Sequence, residues 1–220
     1  MRTRFVPLGL AFCCIAFCQD KPDAAALVAK VRANYAKATR FHFIGTETAT
    51  GQKPKDVEFA GELPGKARFE GSIAGVRPSV VIVDGENYFA YSKESKNFVE
   101  GKDAKEAGLF LQLARGLIDS IQAGDADEKA TVLRGEALTA IDCWVVQITD
   151  SDFVRTWWID KQASIVWRED VVRVREPRSS KESLVFRVAS IDEPVSADLF
   201  RFSPPAGAKK VATLAELGLK

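Results

Sequence analysis

The chain predicts an α+β domain that is mainly β: an antiparallel meander with two helical segments packed on it. Three observations lead there. Short runs of β-branched and aromatic residues recur along the chain, separated by turn chemistry such as Gly51-Gln52-Lys53-Pro54, Pro64-Gly65 and Asp84-Gly85. Apolar and polar residues alternate within several runs: Phe59, Gly61 and Leu63 share one face, and Ala67, Phe69, Gly71 and Ile73 share the next. Apolar residues reach helical spacing in two long segments, and no βαβ rhythm appears.

The densest strand signal is residues 143–176. Trp144, Val145, Val146 and Ile148 make one strand, Val154, Trp157, Trp158 and Ile159 the next, and residues 164–174 a third. Asp150-Ser151-Asp152 and Asp160-Lys161-Gln162-Ala163 supply the turns, and all four tryptophans fall here. Ahead of it, Asp23 caps a helix carrying Leu27, Val28, Val31 and Tyr35 and ending near Thr39. Strands are predicted over residues 41–50, 57–63, 67–73, 79–83, 88–91 and 98–99. A helix over 104–122 presents Leu109, Phe110, Leu113, Leu117, Ile118 and Ile121, with a break expected near Gly116 because glycine is a poor helix former. Strands over 131–138 and 184–191, a short strand at Phe200-Arg201-Phe202, and a capping box at Thr213-Leu214-Ala215-Glu216 complete the reading. Nothing splits residues 19–220 into more than one domain.

Residues 1–18 read as a secretory signal: Arg2 and Arg4 precede an apolar run too short to span a bilayer, with cleavage before Gln19. Lipidation at Cys18, giving a membrane-anchored lipoprotein, is the alternative. Losing the signal takes the formal charge from +1 to −1, which gives no reason to expect nucleic acid. Cys143 is then without a disulfide partner and reads as a buried strand residue.

Chemistry is sparse. His42, the sole histidine, has no metal-ligand spacing around it, and no nucleophile elbow, phosphate loop or dinucleotide fingerprint occurs. The acidic pairs Glu169-Asp170, Asp150/Asp152 and Asp192-Glu193 read as solvated turn residues, and Arg168, Arg173, Arg175, Arg178 and Arg187 as a water-facing convex surface. The expectation is therefore no enzyme, no metal and no cofactor. What remains is apolar surface, either a filled core or a pocket between sheet and helices.

Two stretches bear on that choice. Residues 80–91, VVIVDGENYFAY, resemble the strand, Asp-Gly turn and aromatic strand of the LolA-like periplasmic lipoprotein carriers. Residues 200–207, FRFSPPAG, are similar to that family's C-terminal Phe-x-Phe-x-Pro-Pro-x-Gly segment, and the first helix leading into Arg40-Phe41-His42-Phe43 fits the same order. One departure is Leu63 before Pro64, where the carriers tend to place Arg. The resemblance implies a strongly curved antiparallel sheet, an incomplete β-barrel, with helices lidding its concave face. It implies a monomer that shelters acyl chains of lipoproteins or other lipids in the periplasm and exchanges them with lipoprotein-sorting proteins. An anchored receptor or a protein-binding sensor of the same fold is the alternative, and a hydrolase with His42 as its base is the remote one. The lining implied is Phe43, Phe59, Phe69, Phe89, Tyr91, Phe110, Leu113, Leu117, Trp144, Trp157 and Trp167, with Gly108 and Gly116 letting the lid flex.

Overall fold

The computed structural model describes residues 21–72, 79–175 and 180–217; the signal and Cys18 lie outside them. Helix α1 is Ala24–Lys37, followed by β1 (Arg40–Ala49), β2 (Lys55–Glu62), β3 (Lys66–Glu70), β4 (Val80–Asp84), β5 (Asn87–Tyr91) and β6 (Asn97–Lys102). Helix α2 is Ala104–Gln122, and β7 (Lys129–Leu138), β8 (Ile141–Thr149), β9 (Phe153–Asp160), β10 (Val166–Arg173), β11 (Lys181–Ile191) and β12 (Lys209–Lys210) complete the chain. Among the described residues these strands form one sheet of twelve, ordered β12-β6-β5-β4-β3-β2-β1-β11-β10-β9-β8-β7.

Two meanders meet at β1, which pairs with β2 on one side and β11 on the other, with a register shift at Ile44/Gly45 on the β11 side. The sheet is open and curved. One core unites its two halves: Phe41, Phe43, Phe59 and Phe69 from one side pack with Val146, Trp157, Ile159 and Phe186 from the other. Both helices close that core, α1 through Val28, Val31 and Tyr35, α2 through Leu117, Ile118 and Ile121. Tyr35 stacks on Phe43, and its hydroxyl accepts the Val166 N–H at 3.2 Å. Arg32 bonds the Ala123 carbonyl and Glu128 and pins α1 to the end of α2.

Asp23 caps α1 as the sequence predicts, accepting from the Ala25 N–H, and Asp103 caps α2, accepting from those of Lys105 and Glu106. Glu216 accepts from Thr213, as the capping box predicts, and a single 3-10 turn follows. Helix α2, however, is continuous through Gly116. Its packing against the sheet outweighs the local cost of the glycine. A Cβ at Gly108 or Gly116 would meet nothing within 4 Å. Gly108→Ala should therefore raise stability by about 0.5–1 kcal/mol, read as a higher urea midpoint. An unchanged or lower midpoint would show that the helix uses glycine here for something other than space.

The second correction is residues 200–202. Phe200 ends a 3-10 turn, Ala197–Phe200, and Phe202 follows in extended chain with no ladder. This segment lies on the face of the sheet opposite α2. Phe200 joins Ala60, Val80, Ile82, Phe89, Tyr91 and Phe98, and Phe202 stacks on Phe89. On β4 and β5, it is Val81, Val83 and Ala90 that meet Phe110 of α2.

Candidate functional site

Between α2 and the concave sheet lies a cavity of about 600 Å³. Its floor is built by strand parity. Gly45 pairs with Val57 and Phe43 with Phe59, so Val57 and Phe59 share the core face of β2. Across the next pairs, Glu47 sits opposite Leu184, and Leu184 opposite Glu169. One row further, Ala49 faces Glu182, and Glu182 faces Val171. Side chains in such rows stand on one side of the sheet. Helix α2 contributes Gly116, Leu117 and Ser120 to the roof. The cavity thus has apolar walls of Val57, Phe59, Leu117, Val171 and Leu184, and a carboxylate-bearing floor.

Of the sequence-proposed lining, Phe59 and Leu117 border this cavity. Phe43, Phe69, Phe110 and Trp157 are fully buried behind it as packing, and Leu113 packs on the β4–β6 side. Trp144 leans on the core with Lys161 over its ring at 4.2 Å. Trp167 sits at a register shift between Val166 and Arg168 and lines a different cleft, of about 520 Å³, with Thr46, Val185 and the 138–141 hairpin. Phe89 and Tyr91 must be corrected outright: they point to the opposite face, under the Phe200–Phe202 segment. Both faces of β4 and β5 are covered, so their apolar runs carry no alternation to reveal the parity.

The polar floor went unread in the sequence. Glu169 and Asp170, read together as solvated, lie on opposite faces of β10. Asp170 faces outward, held by Arg168 and Ser183. Although burial pushes its pKa up, those hydrogen bonds and the Lys181 ion pair bring it below the usual range. Glu169 faces the cavity and accepts from Trp157 Nε1 at 2.9 Å. Burial pushes the Glu169 carboxyl up, aided by Glu182 and opposed by the Trp157 bond and Arg155. Burial also raises Glu47, with Lys55 opposing and Glu182 adding. Arg173, expected on the water-facing convex surface, borders the cavity and lies 3.9 Å from Glu182. Asp150 is buried, accepts from the N–H groups of Asp152 and Phe153, and lies 3.8 Å from Arg155.

The remaining reactive types lie elsewhere. His42 Nε2 is 2.9 Å from Glu58 on the outer face, where Glu58 also binds Arg68. Cys143 is fully buried, and burial pushes its thiol up to about 11, which suppresses the thiolate. Among the described residues no His, Cys, Asp and Glu cluster could hold a metal ion, and no helix is long and apolar enough to cross a membrane.

Residues 120–214, from the end of α2 through β12, match a family model described as "Predicted periplasmic protein (DUF2092)". No curated protein matches the chain. Among solved structures, LprF from Mycobacterium bovis is 13% identical, with 80% of this chain and 96% of that one covered, at a TM-score of 0.52. MucB is 12% identical over 84% of this chain and 64% of its own, at 0.51. The fold is what these two share with this chain. A LolA superfamily protein, NE2245 from Nitrosomonas europaea, is also among the matches, at 8% identity over 83% of this chain and 99% of that one, with a TM-score of 0.31.

Proposed function

We propose that this chain is a periplasmic binding protein that shelters an apolar ligand, such as the acyl chain of a lipid or lipoprotein, between its concave sheet and α2. The cavity of about 600 Å³ carries this reading. Its volume falls in the range of small-molecule sites, and five of its walls are apolar side chains. Each methylene buried there contributes about 0.8 kcal/mol, so a chain of moderate length binds without any bond-making chemistry. The family model's description as periplasmic supports the compartment.

The test fills the cavity from its floor. Val171 is half-buried and borders the cavity, so Val171→Trp should occupy it while leaving the buried core alone. Binding of a fluorescent long-chain alcohol is expected to fall at least about tenfold. A tryptophan at exposed Val188, 37% accessible and away from this cavity, serves as control and should leave binding intact. Undiminished binding by a folded Val171→Trp variant would remove the cavity as the site.

A further inference from the structure

The floor of the cavity carries more information than its apolar walls. An acyl-chain site needs no charge, and an ionised carboxylate beside a hydrocarbon chain opposes its burial. Yet Glu47 and Glu169 both border the cavity, on strands two apart, about 10 Å from each other at the backbone. Leu184 lies between them in the same row, and Glu182 stands in the next.

The cations nearby have other partners. Lys55, opposite Glu47, bonds Gln52 Oε1 at 3.0 Å. Arg155 is beside Asp150, and Arg173 beside Glu182. Among the described residues, Glu169 has a single hydrogen bond, from Trp157, and Glu47 forms no hydrogen bond and no ion pair within 4 Å. From α2, Ser120 faces the cavity with its hydroxyl bonded to the Leu117 carbonyl, while Arg115 and Asp119 pair with each other. From α1, Tyr35 is buried and bonded to the Val166 N–H. Two carboxylates therefore retain open acceptor positions in a cavity whose lining joins apolar Val57, Phe59, Leu117, Val171 and Leu184 with Glu182, Lys55 and Arg173.

We infer that the cavity selects amphiphiles with a cationic, amine-bearing headgroup, received by Glu47 and Glu169 while the chain lies along Val57, Phe59, Leu117 and Val171. This rests on the cavity being the ligand site. An ammonium group supplies the N–H donors both carboxylates lack and neutralises the charge that a bare hydrocarbon would strand. Burial raises the pKa of both carboxyls, and Lys55 at Glu47 and Trp157 and Arg155 at Glu169 offset it only in part. A carboxylate headgroup would instead meet a lining in which Glu47, Glu169 and Glu182 outnumber Lys55 and Arg173.

Three twelve-carbon probes separate these possibilities: dodecylamine, dodecanol and dodecanoate, titrated calorimetrically at neutral pH below their micelle concentrations. Dodecylamine should bind about tenfold tighter than dodecanol, the size of one charge-assisted hydrogen bond, and dodecanoate weakest. In the Glu47→Gln and Glu169→Gln variants, checked for folding by thermal melts, the amine-to-alcohol ratio should collapse toward one. Acidification should shrink the same ratio in the wild type, because the carboxylates take up protons while the amine stays charged. Dodecanoate binding as tightly as dodecylamine, or the ratio surviving both substitutions, overturns the inference while leaving the apolar site standing. Binding of none of the three overturns the cavity reading itself, and this with it.

Discussion

Trp157→Ala should destabilise the fold by about 3–5 kcal/mol, the cost of emptying a fully buried aromatic site. Trp157 is wholly inaccessible, belongs to the core shared by both meanders, and has Arg32 over its ring at 5.9 Å. Trp157→Phe separates packing from polarity. It keeps much of the ring and removes the indole N–H that Glu169 accepts. An unsatisfied acceptor costs about 1–3 kcal/mol, and the charged carboxylate suffers more than the neutral acid. The Phe variant should therefore lose most stability at neutral pH and recover part of the loss in acid. Chemical denaturation at both pH values checks this. A loss independent of pH would mean that the bond to Glu169 contributes little.

Glu169→Gln should stabilise the protein at neutral pH, and the gain should vanish in acid. The sign follows from linkage. Burial raises the native pKa of Glu169 above its unfolded value of about 4.3, so in the window between the two values the native state holds a proton the unfolded chain has released. Stability therefore falls as pH rises through that window, and the deficit persists above it. Glutamine removes the titration while its amide oxygen still accepts from Trp157. Melting curves from acid to neutral pH should show the variant above the wild type at the neutral end and the two converging below the unfolded pKa. Parallel curves would show that Glu169 is not strained by its burial. A residue that costs stability and is not needed for the core is what a ligand-directed role would look like.

The elements were legible because their signals are local. Asp23 and Asp103 cap the helices, and the turns at Gly51, Asp84-Gly85 and Asp160 bound strands whose alternation is plain. Which face each strand shows was less legible. Phe89 and Tyr91 were placed on the wrong side because a non-local segment, Phe200–Phe202, covers the outer face of β4 and β5. Trp167 sits at a register shift that parity counting cannot detect. Glu47 and Glu169 follow their strands' alternation faithfully, yet a carboxylate at an inward position looks like an outward one until the register is known. Sequence reasoning looks for apolar residues inside, and here the informative residues are the polar ones.

The position of β1 within the sheet has a consequence for how the chain reaches this shape. Phe41 pairs with Ile191 and Ala49 with Glu182, so the seam between the two meanders joins residues from opposite ends of the sequence. Until β11 exists, β1 is an unprotected edge and the Phe41–Phe43 side of the core has no Phe186 to close on. Such long-range closure slows folding and prolongs the life of a half-formed sheet with its apolar surface open. A chain truncated before Lys181 would keep both helices and ten of its strands, yet lack the strand that makes them one body. Nascent chains should therefore depend on a holding factor until the stretch that carries β11 has emerged.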